Sequence, residues 1–437
     1  MQLRIPRPAS VVIGKAARTL TRLRGGSGSA FPGLVVEKVD PSFLARTLAQ
    51  LPRGVVVISG TNGKTTTTKM VVELLRGQGL KVFTNRSGSN FTRGVVASLV
   101  GELGIRGRLD ADIAVLELDE AHAVHFVRAV APQYALLLNV MRDQLDRFGE
   151  IDTTARLLRT IGSAATDGVV LNREDPRVAA IADSLGSQDV RYFGLAAQLR
   201  SHFPSDDDHH SAAPAAGAGG AEAPHADSPD ADVVLTALED QGGTFRIDDE
   251  EITTSLSVNG VYNTYNAAAA LTLVRQVMGD SLDADALLQS LTQVTPAFGR
   301  GESLTVGGQP LDLVLVKNPA GFRLGLSSFS AEGVATMICI NDDYADGRDM
   351  SWLWDVSFDS LADEGVAAVS GVRSYDMALR LSYDDVGIHT LNPQLKPALE
   401  DFLAAHPQKP KRIFCTYTAM LSLRRHLSAY THVEEFA

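Results

Sequence analysis

The segment from Val55 to Arg76 constrains the fold of this 437-residue chain more than any other. It reads as a short buried strand, Val55–Ser59, followed by a glycine-rich turn and a helix that begins near Lys64. Such a turn presents backbone N–H groups at a helix N-terminus, where the helix dipole favours anions. The pattern is typical of loops that bind the phosphates of a nucleotide. The residues predicted to form this loop are Gly60, Thr61, Asn62, Gly63, Lys64, Thr65 and Thr66.

The loop also predicts the roles of two side chains. Lys64 would neutralise the terminal phosphates of ATP, and the hydroxyl of Thr65 would bind the accompanying Mg²⁺. The alternative is an ordinary strand, turn and helix that happens to contain a lysine. The coincidence of strand, glycines, Gly-Lys-Thr and helix favours phosphate binding.

Further apolar runs follow the loop and are separated by helical patterns, which predicts an α/β fold with a parallel sheet. In the first part of the chain these runs are Ile113–Leu118, Tyr134–Val140 and Gly168–Leu171. A second, smaller α/β domain is predicted from about Gly301, and its strands are Leu311–Val316, Thr336–Ile340, Gly365–Val369 and Arg412–Tyr417.

Three domains are therefore predicted: a helical lead-in over 1–50, a nucleotide-binding domain over 51–300 and the smaller domain over 301–437. The lead-in is expected to hold one helix, a Gly/Ser turn and a second helix near Pro41–Leu51. The stretch 204–232 contains Ser, Asp, His, Ala, Pro and Gly, which cannot bury enough apolar surface to order it, and predicts a disordered insertion. Its histidines could bind a metal ion, but their spacing fits no ordered zinc module.

Composition excludes several classes of protein. The net charge of −12 argues against a general nucleic-acid binder, and no apolar run approaches the roughly 18 residues that span a bilayer. Two cysteines cannot form a disulfide framework or a four-cysteine zinc site. No secretory signal is evident, so a cytoplasmic location is predicted. The first 24 residues carry six basic and no acidic residues, which indicates either attraction to an anionic membrane face or the solvated face of a short helix.

The exact sequence of the phosphate loop narrows the range of protein families to which the chain could belong. Ile58 stands where the general Walker pattern has its first glycine, and Gly-Thr-Asn-Gly-Lys-Thr-Thr resembles the loops of Mur ligases and folylpolyglutamate synthetases. Those enzymes use ATP to activate a carboxylate as an acyl phosphate, which an amine then attacks. The resemblance implies that Glu117 binds Mg²⁺, that Asn266 contacts the adenine and that Arg300 lies near the nucleotide.

Four features resemble the MurT family, the ligase-like subunits of lipid II isoglutaminyl synthases. Residues 1–50 are too few to predict the N-terminal UDP-binding domain of Mur ligases, and Gln144 stands where those enzymes have a metal-binding histidine. The segments Leu315–Phe322 and Asp346–Asp355 match the family, the second as Asp-Gly-Arg-Asp-Met-Ser-Trp-Leu-Trp-Asp. The resemblance implies a Mur ligase-like P-loop middle domain with a parallel sheet and a smaller Rossmann-like C-terminal domain. The zinc ribbon common in the family is not expected, because 204–232 stands in its place.

The resemblance also implies an activity. Members of the family amidate the α-carboxylate of D-glutamate in the lipid II stem peptide, giving D-isoglutamine. The ammonia comes from a separate glutaminase subunit, GatD, whose Cys–His pair is completed by an aspartate of the ligase subunit. We carry that role onto Asp349, with Asp346 and Asp355 as alternatives; Asp349 could instead cap the turn before Trp352.

Neither Cys339 nor Cys415 has the surroundings of a nucleophile, and both are predicted to be buried core residues. Two other functions remain open. One is an amino-acid ligase of the folylpolyglutamate synthetase type, and the other is a non-catalytic scaffold that binds nucleotide and presents Asp349 to a glutaminase.

Overall fold

The computed structural model of the chain describes residues 7–23, 31–85, 90–104, 106–141, 151–203, 229–239, 241–258, 260–295 and 300–433. These residues form two compact units. In the described part of the chain the first unit contains a nine-stranded sheet and the second a six-stranded sheet.

The elements up to residue 294 belong mainly to the first unit. Its helices are α1 (Arg7–Leu23), α2 (Phe31–Val39), α3 (Phe43–Leu48), α4 (Lys64–Gly77), α5 (Thr92–Glu102), α6 (Glu120–Ala129), α7 (Ile151–Ala164), α8 (Pro176–Ala179), α9 (Val261–Met278) and α10 (Ala284–Thr292). Its strands are β1 (Val55–Ser59), β2 (Val82–Thr84), β3 (Ile113–Glu117), β4 (Tyr134–Leu137), β5 (Gly168–Asn172), β6 (Asp189–Leu195), β7 (Val233–Glu239), β8 (Gly242–Ile247) and β9 (Glu250–Thr254).

The elements from residue 300 onward belong to the second unit. Its helices are α11 (Pro319–Ser328), α12 (Ser374–Ser382), α13 (Leu395–Ala405) and α14 (Tyr417–Leu427). Its strands are β10 (Arg300–Val306), β11 (Gln309–Leu315), β12 (Ala335–Cys339), β13 (Val366–Ser370), β14 (Ile388–Asn392) and β15 (Lys411–Cys415).

The first sheet confirms the predicted α/β class. Its strand order is β2-β3-β1-β4-β5-β6-β7-β8-β9, and the strands from β2 to β7 are parallel. Every residue of β1, β3 and β5 is buried. Helices cover both faces of such strands, which is why their sequences are continuous apolar runs rather than alternating patterns.

The far edge of this sheet was not predicted. β7, β8 and β9 pair antiparallel, with Gly242 at φ +124° where β8 begins. The predicted insertion 204–232 lies outside the described residues except for its last four. Asp232, at its end, is ordered: its carboxylate accepts a hydrogen bond from the backbone N–H of Tyr192 at 2.9 Å.

The N-terminal region holds three described helices, where two were predicted. The additional helix is α2, whose Pro32 and Gly33 lowered its helical signal. Val11 and Ala17 of α1 are buried, and Lys15 donates a hydrogen bond from Nζ to the carbonyl of Leu103 at 2.7 Å. One face of α1 therefore packs against the rest of the protein.

The second sheet has the order β10-β11-β15-β12-β13-β14. The four predicted strands are confirmed, with bounds shifted by one or two residues, and β10 precedes them as an antiparallel partner of β11. Alternate residues of the parallel strands enter two cores on opposite faces. One core contains Cys339 with residues of α13 and α14, and the other contains Trp352 with residues of α11 and α12.

Candidate active site

The glycine-rich loop after β1 has a backbone that requires glycine at two points. Gly60 has φ +136° and Gly63 has φ +86°, a region that other residues rarely adopt. A Cβ atom on Gly63 would lie 2.6 Å from Oδ1 of Asn266. The loop is therefore packed against the Asn266 side chain, and α4 begins directly after it at Lys64.

Asn139, which follows β4, braces the same loop. Its Oδ1 accepts a hydrogen bond from the N–H of Asn62 at 2.8 Å, and its Nδ2 donates to the carbonyl of Asn62 at 3.1 Å. The N–H of Thr61 donates to the carbonyl of Asn139 at 3.0 Å. We had not singled out this residue, although an asparagine just beyond a buried parallel strand is a recognisable signal for the carboxyl edge of a sheet.

Lys64 is buried and surrounded by acceptors. Its Nζ donates to the carbonyls of Gly60 and Thr61, the second at 3.3 Å, and lies 3.4 Å from Oε1 of Glu120. Glu120 is the first residue of α6 and is itself 3% exposed. The sequence motifs above do not include it. Because Glu117 ends the buried strand β3 and Glu120 follows it by three residues, the acidic cluster at the end of that strand was the available signal.

We expect Glu120→Gln to lower the free energy of unfolding of the nucleotide-free protein by about 3 kcal/mol, because it leaves the Lys64 ammonium buried without its charge partner. Mg·ATP should restore part of that loss if its phosphates supply the missing negative charge. Urea unfolding with and without Mg·ATP measures both effects. Glu73→Gln is the matched control, since Glu73 forms an exposed pair with Arg76 on α4 and should change stability little. Equal losses in the two variants would contradict the expectation.

Thr65 and Glu117 meet next to Lys64. The Thr65 hydroxyl donates to Oε1 of Glu117 at 2.9 Å. Asn85 fixes the backbone of Glu117 with two bonds of 2.9 Å, accepting from its N–H and donating to its carbonyl. A hydroxyl and a carboxylate are oxygen ligands of the kind Mg²⁺ prefers, and it commonly binds one or two carboxylates and completes its shell with water and phosphate. The pair fits that ion.

The structure brings together most of the residues predicted to bind nucleotide. The loop 60–66, Glu117 and Asn266 lie within the first unit and are joined by the contacts above. Arg300 begins β10, and its side chain lies outside the described residues, as does Gln144. Among the residues that the structure describes, no group of three or more His, Cys, Asp or Glu side chains could hold a metal ion.

A second network follows β5. The Asn172 Oδ1 accepts a bond from the Tyr265 hydroxyl at 2.5 Å, and its Nδ2 donates to the carbonyl of Leu138 at 2.8 Å. Asp175 is almost fully buried and caps α8, accepting from the N–H groups of Arg177 and Val178, and also from that of Val140 at 2.6 Å. Burial raises the pKa of Asp175 to about 6, although the hydrogen bonds it accepts act in the opposite direction and lower the pKa.

This raised pKa predicts a pH dependence of stability. The folded chain holds the Asp175 proton more tightly than the unfolded chain, so its free energy of unfolding should fall by up to about 3 kcal/mol as the pH rises from about 4 to about 6. Asp175→Asn should remove this component of the pH profile. Urea unfolding of both proteins across that range measures the difference. Parallel pH profiles would show that Asp175 titrates normally.

The second unit contains the three candidate aspartates. Asp349 is half-buried, and its Oδ1 accepts a bond from the N–H of Ser351 at 2.9 Å, just before the 3-10 helix Ser351–Asp355. This is the capping contact considered as the alternative role. Asp346 is buried and accepts from the N–H of Thr418 at 2.7 Å and from its hydroxyl, and burial raises the pKa of its carboxyl. The Asp355 carbonyl accepts a bond from Nε of Arg323 at 2.9 Å.

Both cysteines are buried on paired strands, as predicted. Cys339 of β12 lies opposite Cys415 of β15. Burial raises the pKa of both thiols well above the usual value. Neither thiol can therefore supply a thiolate nucleophile near neutral pH.

Comparisons with known proteins identify the family. Residues 58–274 match the model of the Mur ligase middle domain, and residues 315–420 match that of the MurT ligase C-terminal domain. The chain is 31% identical over 436 residues to the Streptococcus pneumoniae protein named lipid II isoglutaminyl synthase (glutamine-hydrolyzing) subunit MurT, covering 94% of each chain. The chain belongs to the MurT family. A second MurT, from Staphylococcus aureus, is 28% identical and covers 87% of this chain and 88% of its own.

Solved structures show the same fold for this MurT-family chain. MurF from Acinetobacter baumannii aligns with a TM-score of 0.66 at 19% identity, over 89% of this chain and 78% of its own. Folylpolyglutamate synthase from Mycobacterium tuberculosis aligns with a TM-score of 0.59 at 16% identity, over 98% and 96%. The predicted resemblance to MurT and the predicted fold class are thus confirmed. In the described part of the MurT-family chain, no helix has the length and apolar character needed to cross a membrane.

Proposed function

We propose that this chain is the ligase subunit of a lipid II isoglutaminyl synthase, a carbon–nitrogen ligase that uses glutamine as its nitrogen source. The observation that carries the proposal is the start of α4, where the buried Lys64 faces the loop carbonyls and Glu120, and the next residue, Thr65, bonds to Glu117. Membership of the MurT family supplies the substrate class, because the relatives are named for lipid II and for glutamine hydrolysis.

The proposed reaction has two steps. An α-carboxylate oxygen of D-glutamate in the lipid II stem peptide attacks the γ-phosphorus of ATP, and ADP leaves. Ammonia then attacks the carbonyl carbon of the acyl phosphate, phosphate leaves, and a proton is lost to give the amide of D-isoglutamine. The protein contributes positioning and charge, which are the main sources of catalysis in phosphoryl transfer.

Each loop residue has a proposed part in the first step. The backbone N–H groups of the loop 60–66 bind the phosphate oxygens, in a shape that Asn139 maintains. Lys64 leaves its contacts with Glu120 and the loop carbonyls to neutralise the γ-phosphate. Thr65 and Glu117 would hold Mg²⁺, which neutralises charge on the phosphates when bound.

Two further residues are proposed for the nucleotide. Asn266 lies against Gly63 and is proposed to contact the adenine, and Arg300 is proposed to lie near the bound nucleotide. The proposed ATP-binding middle domain spans residues 51–300, and the proposed MurT-type C-terminal α/β domain spans residues 301–437.

The nitrogen is proposed to come from a GatD-type glutaminase subunit. Both cysteines of this chain are buried with raised pKa values, so neither is suited to hydrolyse glutamine, and we assign that step to a nucleophile of the partner. Asp349 is proposed to orient the histidine of that partner. Because lipid II is membrane-anchored through its lipid, we place the complex in the cytoplasm at the inner face of the membrane.

The experiment that tests the proposal is reconstitution. The chain and its glutaminase are incubated with lipid II, glutamine and Mg·ATP, and lipid II is analysed by mass spectrometry. Conversion of one carboxyl to a carboxamide, with ADP formed, is the expected result. Addition of glutamate to the substrate would instead indicate a ligase of the folylpolyglutamate synthetase type. Nucleotide binding without ADP formation would indicate a scaffold.

A further inference from the structure

An exposed apolar stripe runs along α12 and the neighbouring 3-10 helix of the second unit. Tyr375, Leu379 and Tyr383 recur every four residues and therefore share one face of the helix. Their exposures are 66%, 53% and 70%, and Val372 just before the helix is 64% exposed. Trp354 adds a fifth apolar residue, because its ring meets that of Tyr383 at 5.1 Å. Large apolar side chains that cluster on a surface indicate an interaction site.

The stripe is held in a fixed shape by Arg380. This guanidinium lies 5.8 Å from the Trp354 ring and 5.4 Å from that of Phe358. It forms an ion pair with Asp384 at 2.7 Å and donates to the carbonyl of Val356 at 2.5 Å. Rigid aromatic side chains lose little entropy on binding and are frequent hot spots of protein interfaces.

Packing in the core of the second unit does not explain why a tryptophan stands at position 354. Trp352 and Trp354 belong to the same short motif, yet Trp352 is 3% exposed and packs against Phe322, whereas Trp354 is 47% exposed. Packing of the second unit therefore accounts for the first tryptophan alone. The second presents a large indole to solvent.

The stripe is continuous with the loop that carries Asp349. Asp349 accepts a hydrogen bond from the N–H of Ser351, the first residue of the 3-10 helix that contains Trp354, and five residues of 3-10 helix span about 10 Å. Arg373, which precedes α12, lies 3.4 Å from Asp342 on the loop after β12. A protein that contacts Asp349 can therefore cover the stripe as well.

The charge around the stripe indicates which kind of molecule can bind there. The segment 341–385, which contains the stripe and Asp349, has eleven acidic and three basic residues. Two copies of such a surface repel each other, and an anionic membrane or a nucleic acid is repelled as well. The surface fits a protein with an apolar centre and a basic rim.

We propose that Val372, Tyr375, Leu379, Tyr383 and Trp354 form the surface on which the glutamine-hydrolysing partner docks, with a basic rim of the partner facing the acidic residues around the stripe. The proposal rests on the proposed function, since that function supplies the partner. It adds the docking surface and the chemistry of the complementary face.

The test is titration calorimetry of the purified chain against its glutaminase. Leu379→Asp and Trp354→Ala should each raise the Kd at least about 30-fold, as expected for loss of a hot-spot contact. Tyr375→Ser is a third variant that leaves Arg380 and its contacts intact. The wild-type Kd should also rise with NaCl concentration, because complementary charges are screened. Circular dichroism and Mg·ATP binding check that each variant is folded.

Tyr430→Ser is the matched control. Tyr430 is 50% exposed and follows α14, which packs on the opposite face of the second sheet from α12. It should bind the partner with wild-type affinity. Unchanged Kd values for folded stripe variants would overturn the proposal, as would self-association of the wild-type chain that Leu379→Asp abolishes. A wild-type complex that forms through the stripe but does not amidate lipid II would refute the proposed function and leave the docking surface standing.

Discussion

Replacing Lys64 with alanine is expected to reduce ATP-dependent amidation at least about 1,000-fold, with the partner still bound. The ammonium of Lys64 is the positive charge that we propose faces the transferring phosphate, and loss of such a charge removes transition-state stabilisation. ADP release and mass spectrometry of lipid II measure the loss. Lys64→Met tests the same charge while keeping most of the aliphatic stem.

Lys81→Ala is the control for this prediction. Lys81 is exposed, precedes β2 and forms its ion pair with Asp110 on the surface, so its removal should leave amidation unchanged. Circular dichroism and partner binding establish that the Lys64 variants are folded. If folded Lys64→Met amidates lipid II at the wild-type rate, the Lys64 ammonium does not stabilise the transferring phosphate and the role proposed for it is wrong.

Asp349→Asn is expected to lower glutamine hydrolysis by the complex about 10,000-fold, the scale seen when the carboxylate that orients a catalytic histidine becomes an amide. The asparagine oxygen can still accept the N–H of Ser351, so the local turn should survive. Amidation driven by added ammonium chloride should persist, because the loop 60–66 is untouched. Glutaminase and ammonia-driven assays on the same preparation separate the two activities.

Asp363→Asn is the control for Asp349, since Asp363 is exposed in the same unit. Glutamine hydrolysis that survives in Asp349→Asn but is lost in Asp355→Asn would move the role to Asp355. Asp346 is the weaker alternative, because its two oxygens already accept bonds from Thr418 and Asp343 inside the protein. Loss of ammonia-driven amidation together with hydrolysis would instead indicate a structural role for Asp349.

The first sheet shows why parts of the fold could be predicted. β1, β3 and β5 are buried on both faces, so their sequences carry a signal independent of any partner. β9 gave a weaker signal, because it lies at the open edge of the sheet and none of its residues is buried. β8 begins with Gly242 and Gly243, and glycine is depleted in strands. Helix α2 was also missed, whereas α4 was predicted. Pro32 and Gly33 of α2 have low helix propensity, and tertiary packing overrides that propensity.

The loop 60–66 and Glu117 could be recognised in the sequence, because each lies in a short continuous segment at the end of a buried strand. Asn139, Asn85 and Glu120 could not be assigned in the same way. Asn139 contacts the loop from 77 residues away, and Asn85 holds Glu117 from 32 residues away. Contacts between distant segments depend on strand order, which puts β3 and β4 on either side of β1.

The α/β class, the phosphate loop, the family and a partner that supplies the nitrogen could all be predicted from the sequence alone. Each depends on local order along the chain: a buried strand, a glycine turn, a specific motif, or a cysteine within an apolar run. Only the tertiary structure decided which of two neighbouring tryptophans lies in the core and which on the surface. It also decided that Lys64 faces Glu120 and that Tyr375, Leu379 and Trp354 form one stripe. Burial and charge pairing depend on what packs against a side chain, and distant segments of the chain supply those neighbours.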